Sequence, residues 1–115
     1  MIDWFYRSKN KIENYALSLT LEFGKNWGGD ISERLQSRFP NLTKKEIEYY
    51  KQLAKNVETD CWNCIDDEYS EIDSKQLSEF LATKVFLKYT WINKRNKVNI
   101  NSKFQYYFWR EGRLK

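Results

Sequence analysis

The amino-acid sequence predicts an all-α fold, because residues that make turns are scarce and helix-start motifs recur along the chain. Its 115 residues include four Gly and one Pro. A β-sandwich or a barrel needs a turn about every 8 to 12 residues, so this composition argues against both. A chain of this length can bury one hydrophobic core without disulfide or metal support. We therefore expect a single helical domain over residues 1–115, built as a compact bundle of four to five helices.

Two helix starts share the same capping pattern. Thr43 and Glu46 are spaced as a capping box, in which each side chain accepts a hydrogen bond from the backbone of the other residue. Asp73 and Gln76 repeat this pattern further along the chain. In both places an apolar residue precedes the cap and another follows the box, as in a hydrophobic staple. The pattern predicts a helix start at each position.

These starts open a predicted helix pair at 44–68 and 73–92. Apolar or small residues recur in both segments at spacings of three and four, which places them on one face of each helix. The short connection between the segments predicts that the two helices pack antiparallel. The expected inward-facing residues are Ile47, Tyr50, Ala54, Val57, Cys61, Cys64 and Ile65 in the first helix and Leu77, Phe80, Leu81, Val85 and Tyr89 in the second.

The N-terminal part of the chain is predicted to contribute two shorter helices. Residues 15–23 fit both the alternation of a strand and the stripe of a helix. We favour the helix, with Phe23 on its buried stripe, because no second strand with a hairpin turn is available and a lone strand is unstable. A further short helix is expected between Asp30 and Pro40, since Asp30 can cap its start and the proline ends it.

The C-terminal part is predicted to be a loop followed by a last helix. Residues 93–101 contain four Asn, which favour turns and caps over helix interiors. We therefore expect a loop there that ends in an N-cap. The last helix is expected at 102–111, ending at Gly112, with Arg110 in its final turn where a cation suits the helix dipole.

The charged residues are sorted along the chain. Between Lys55 and Lys75 every charged side chain is acidic, which makes a block of −7. Residues 74–115 carry ten Lys or Arg against two Glu, a block of +8, and residues 1–57 add +3 to give the net charge of +4. Such sorting polarises a surface and speeds encounter with a partner of opposite charge.

The acidic block leads to our first functional hypothesis. We expect a non-enzymatic, intracellular protein-interaction module that uses an acidic surface over residues 58–73. Its partner would be a basic protein, such as a toxin or nuclease that an inhibitor-like or immunity-like module neutralises. Two alternatives stay open, namely carboxylates paired with the protein's own basic tail and a Ca²⁺ or Mg²⁺ site, although the alternating ligands and central Gly of a calcium loop are missing. The candidate partner-binding residues are Glu58, Asp60, Asp66, Asp67, Glu68 and Glu71.

The basic, aromatic-rich segment 84–115 supports an alternative function. Cations that neutralise phosphates and rings that stack on bases are the features that bind single-stranded nucleic acid. The same composition also fits ordinary helices with buried rings and a solvated cationic face. The candidate nucleic-acid-binding residues are Trp91, Lys94, Arg95, Lys97, Trp109 and Arg110.

The sequence contains no histidine, which argues against most hydrolase and metalloenzyme classes. Cys61 and Cys64 form a C-x-x-C pair, but they lie deep in a predicted helix among acids, where the thiol pKa values should be raised. A zinc site would need two more ligands that the chain lacks. We therefore expect two buried structural thiols, no metal, no cofactor and no enzymatic activity. A minor alternative is carboxylate catalysis, for which Glu58 beside Trp62 is the best candidate.

The location of the protein is predicted from what the chain lacks. No run approaches the roughly 18 apolar residues that a membrane span needs, and charged side chains interrupt residues 1–11, where a secretory signal would have its apolar region. We therefore expect a cytoplasmic protein with reduced cysteines and no membrane partner.

Overall fold

The computed structural model describes residues 10–22 and 29–115. Within these residues no β-strand forms, and no helix is both long and apolar enough to cross a bilayer. The predicted all-α single domain is confirmed. Its elements are α1 (Lys11–Thr20), α2 (Ser32–Arg38), α3 (Lys44–Trp62), α4 (Ser74–Leu81), a π-helical turn (Ala82–Phe86) and α5 (Lys94–Arg110).

Both predicted capping boxes are present. At the start of α3, Glu46 donates its N–H to the Thr43 hydroxyl at 3.1 Å, and Thr43 donates its N–H to the Glu46 carboxylate at 2.9 Å. At the start of α4, the reciprocal bonds between Asp73 and Gln76 measure 2.8 and 3.0 Å. Each box satisfies two backbone donors that a helix start would otherwise leave without partners.

Helix α3 ends at Trp62 rather than at the predicted residue 68. The backbone closes with a tight turn, in which the Cys64 N–H donates to the Cys61 carbonyl at 3.3 Å. A longer helix would place the carboxylates of residues 66–68 in its last turn, where each opposes the helix dipole by about 0.3–1 kcal/mol. Cys64 and Ile65 are nevertheless buried as predicted, because the chain beyond the helix stays against the core.

The second predicted helix, 73–92, is α-helical only as far as Leu81 and continues as the π-helical turn. That turn is closed by the Leu87 N–H donating to the Ala82 carbonyl at 3.1 Å. The Thr83 hydroxyl donates to the Glu79 carbonyl at 2.9 Å, a contact that bends helices and disturbs their regular ladder. The stripe still reaches the core, since Leu81 and Val85 are fully buried.

The two predicted partner segments run antiparallel. Salt bridges join Asp60 to Lys88 and Asp66 to Lys84, so the later acid meets the earlier lysine. Contacts between α3 and the π-helical turn accompany these bridges, whereas α3 packs most extensively on α1. The antiparallel direction is therefore as predicted, and the N-terminal helix completes the centre of the bundle.

The prediction of a loop at 93–101 is wrong. Helix α5 begins at Lys94, and the cap is Asn93, whose side chain accepts the Asn96 N–H at 2.9 Å. Asn96 is only 2% exposed, and its amide donates to the carbonyl and side-chain oxygens of Asn14 at 2.9 and 3.0 Å. These tertiary hydrogen bonds and the burial of Ile100 outweigh the low helix propensity of asparagine.

The N-terminal helices agree with their predicted type. Helix α1 is helical, not extended, while Phe23 of its predicted stripe lies outside the described residues. The N-cap of α2 is Ile31, not the predicted Asp30, and no side chain makes a capping bond there. The Asp30 carboxylate instead accepts the Ser32 N–H at 2.8 Å and the Ser32 hydroxyl at 2.7 Å. Helices α1 and α2 both pack on α3, so the two short helices cover its buried face.

The C-terminal end closes the fold over the core. Gly112 has φ 78°, a left-handed conformation that ends α5 at the predicted residue. The chain then runs beside Ile72, whose N–H donates to the Arg113 carbonyl at 2.9 Å and whose carbonyl accepts the Lys115 N–H at 3.0 Å. This single parallel bridge ties the end of the chain to the segment between α3 and α4.

Candidate interaction surfaces

The predicted acidic surface divides into paired and unpaired carboxylates. Asp60 accepts hydrogen bonds from the Lys88 ammonium at 2.8 Å and from the Tyr89 hydroxyl at 2.5 Å. Asp66 forms a salt bridge with Lys84. Two of the predicted partner-binding acids are therefore engaged by the basic segment that follows them.

The pairing of Asp60 with Lys88 and Tyr89 lowers the pKa of its carboxyl group. Burial alone would raise the pKa of Asp60, but the hydrogen bonds from Lys88 and Tyr89 together outweigh burial and lower the pKa. The stabilisation from this group is present above the ordinary pKa of an aspartate and is lost as pH falls through the lowered value. The contact is half-exposed and screened by salt, so its main effect is to hold the two segments together.

Glu58 differs from the other predicted acids in the groups that set the pKa of its carboxyl group. Burial raises the pKa of its carboxyl group, and the nearby cations Lys55 and Lys103 partly offset that rise. The hollow that Glu58 lines also contains the carboxylates of Asp30 and Glu48, and both form salt bridges with Lys51. None of the other predicted partner-binding acids lines this hollow, so Glu58 is not part of the acidic surface between α3 and α4.

Asp67, Glu68 and Glu71 remain exposed between α3 and α4. None of the three forms a salt bridge with any cation in the two described ranges of the chain. We call these three residues the exposed acidic loop. Of the predicted partner-binding acids, these three remain as candidates to contact another protein.

The backbone that carries the exposed acidic loop is fixed at several points. The Tyr69 N–H donates to the Asp66 carbonyl at 3.0 Å, which closes a turn, and the Arg113 guanidinium donates to the Tyr69 carbonyl at 3.0 Å. Buried Ile65 and Ile72 hold the two ends of the loop in the core. The carboxylates are therefore presented from an ordered backbone, although the loop has no regular secondary structure.

Cys61 and Cys64 are free thiols with exposures of 0% and 1%. Burial raises the pKa of both, that of Cys64 to about 11. Within the described part of the chain, no three His, Cys, Asp or Glu side chains are grouped closely enough to hold a metal ion. The C-x-x-C pair is therefore part of the core. Its burial disfavours the thiolate form that redox chemistry requires.

We expect the thiols to resist alkylation by iodoacetamide in the folded protein and to react fully in urea. Because the folded state keeps protons that an unfolded thiol loses above about pH 8.5, stability should also fall as pH rises past that value. Mass spectrometry across a urea series measures the alkylation. Modification of the native protein as fast as of the unfolded chain would contradict this burial.

The predicted nucleic-acid-binding residues lie at opposite ends of α5. The helix has 17 residues, and a rise of about 1.5 Å per residue separates its ends by roughly 24 Å. One ligand unit cannot contact both groups. The first group is Trp91, Lys94, Arg95 and Lys97, and the second is Trp109 and Arg110.

A groove of about 870 Å³ lies between α1, the end of α2 and the start of α5. Of the predicted residues, Trp91 and Arg95 line it. Tyr15, Arg38 and Phe39 line it as well, and none of the three was predicted as a binding residue. Tyr15 lies far from the adjacent residues Arg38 and Phe39 in the chain, so no local motif joins the three.

Comparison of the chain with family models, with curated proteins and with solved structures finds no match in any of the three.

Proposed function

We propose that this protein is a non-enzymatic, intracellular protein-interaction module that docks a basic protein through the exposed acidic loop. The observation that carries the proposal is the presence of three exposed carboxylates, unpaired within the described residues, on a backbone fixed to the core. An acidic patch attracts a cationic surface over several ångströms and raises the association rate. Neutralisation of a basic toxin or nuclease is a function of this type.

The fixed backbone adds to the proposal. A loop that is ordered before binding loses less conformational entropy when a partner docks. Arg113 and the pairing of Ile72 with the C-terminal residues hold the loop in place. Lys84 holds Asp66 at the edge of the same loop, so that bridge supports the surface instead of contacting the partner.

The test is a comparison of two variants with the same change in charge. The first, Asp67→Asn/Glu68→Gln/Glu71→Gln, removes the exposed acidic loop. The control, Glu13→Gln/Glu33→Gln/Glu48→Gln, removes three acids of α1, α2 and the first half of α3.

Each variant and the unchanged protein are immobilised and used to capture proteins from the source cells, and each captured protein is then purified and titrated by calorimetry. We expect a basic partner whose affinity falls at least about tenfold, or ~1.4 kcal/mol, in the first variant and stays within about twofold in the control. Equal affinity of both variants for every captured protein would refute the proposal.

A further inference from the structure

The groove between α1, α2 and α5 combines aromatic and cationic side chains. Tyr15 and Phe39 meet edge to face, with ring centroids 5.6 Å apart. Trp91 meets Tyr89 edge to face, with ring centroids 6.2 Å apart. Tyr15, Phe39 and Trp91 are all partly exposed, so each leaves aromatic surface open to the groove.

Three exposed cations, Lys11, Arg38 and Arg95, line the same groove. None of them has a carboxylate within salt-bridge distance among residues 10–22 and 29–115. The one acid in the lining, Glu22, is held by Arg34 through two hydrogen bonds of 2.5 and 2.8 Å. The groove therefore carries an excess of positive charge that an anionic ligand could neutralise.

The floor of the groove is held rigid by a buried amide network. The Asn14 amide donates to the Trp91 carbonyl at 2.9 Å, and the Asn14 side-chain oxygen accepts the Asn93 N–H at 2.9 Å. Asn96 adds a bond of 3.0 Å to the same oxygen. These bonds fix the backbone of Trp91 to α1, so the segment that carries the indole is positioned before any ligand arrives.

From this arrangement we propose that the groove binds single-stranded nucleic acid. A base stacks on Trp91, and the guanidinium groups of Arg38 and Arg95 contact the adjoining phosphates. Rings bordered by cations are the combination that single strands require, since every base has a stacking face and every linkage a charge. The groove volume of about 870 Å³ lies within the range of small-ligand sites. This site is separate from the exposed acidic loop and does not depend on the function proposed above.

The proposal is tested by fluorescence anisotropy with a labelled single strand of about 12 nucleotides. The variants are Trp91→Leu and Arg38→Gln/Arg95→Gln. The matched control is Trp109→Leu/Arg110→Gln, which changes an exposed tryptophan and an exposed arginine at the other end of α5. Circular dichroism melting of each variant establishes that it is folded, and the double arginine variant changes exposed side chains alone.

We expect Trp91→Leu to weaken binding about tenfold, as the loss of one stacked base would. The double arginine variant should reduce the slope of log K against log salt, measured between about 50 and 200 mM, by about 1.4. The control should bind like the unchanged protein. Duplex of the same sequence should bind more weakly, because its bases are already stacked.

Four results would overturn the proposal. They are no binding at about 50 mM salt, equal losses in the groove variants and the control, duplex binding as tight as the single strand, and full displacement of the strand by adenosine monophosphate at equal concentration. The last result would identify a site for a free nucleotide. None of them bears on docking through the exposed acidic loop.

Discussion

Replacing Asn14 by leucine is expected to destabilise the fold by at least about 3 kcal/mol, because each buried polar group left unpaired costs about 1–3 kcal/mol. The Asn14 side chain makes four hydrogen bonds, two donated to the carbonyls of Asn10 and Trp91 and two accepted from the Asn93 N–H and the Asn96 amide. Leucine has a similar volume and can make none of them. The Trp91 carbonyl and the Asn93 N–H would lose this partner, while the Asn96 amide would keep only its bond to the Asn14 backbone carbonyl.

Urea unfolding followed by circular dichroism measures this effect. The control is Asn99→Leu, which makes the same chemical change on α5 at a side chain for which the described residues provide no hydrogen bond. We expect the control to change the free energy of unfolding by less than about 1 kcal/mol. A loss below about 1 kcal/mol in Asn14→Leu would show that the network does not join α1 to α5.

Truncating Phe104 to alanine is expected to cost about 3–5 kcal/mol, the usual range for removing a buried aromatic ring. Phe104 is 1% exposed. Its ring centroid lies 5.0 Å from that of Trp62, 5.3 Å from that of Tyr107 and 5.9 Å from that of Phe108. The substitution leaves a cavity where α3 and α5 meet, and the stacked pair of Trp62 and Tyr107 borders it.

The same unfolding measurement applies, with Trp109→Ala as the control. Trp109 is 62% exposed and also lies on α5, so its truncation removes a larger ring with little loss of buried area. We expect a change below about 1 kcal/mol for the control. Similar losses in the two variants would mean that the aromatic cluster around Phe104 is not the centre of the core.

The parts of the fold that were predicted correctly were mostly those with a short-range sequence signal. A capping box depends on residues three apart, so both boxes were readable from the chain. The start of α5 was not, because four asparagines favour a loop and the partner that reverses this preference, Asn14, lies 82 residues before Asn96. A preference of a few tenths of a kcal/mol per residue loses to buried hydrogen bonds worth about 1 kcal/mol each.

The candidate functional surfaces could likewise be predicted only in part from the sequence. Charge sorting is a property of the sequence and predicted the acidic segment. Which acids are exposed depends on tertiary pairing, since Lys88 reaches Asp60 across 28 residues and Lys84 reaches Asp66 across 18. The groove depends on packing alone, because its three rings come from α1, from the residue that follows α2 and from the segment before α5.

The association rate of the purified partner, measured by stopped-flow fluorescence over a range of ionic strength, tests docking through the exposed acidic loop most directly. For the unchanged protein and the Glu13→Gln/Glu33→Gln/Glu48→Gln control, we expect the rate constant to fall steeply as salt screens the attraction. For Asp67→Asn/Glu68→Gln/Glu71→Gln, we expect a slower association that depends only weakly on salt. The same salt dependence in all three proteins would contradict docking through this loop.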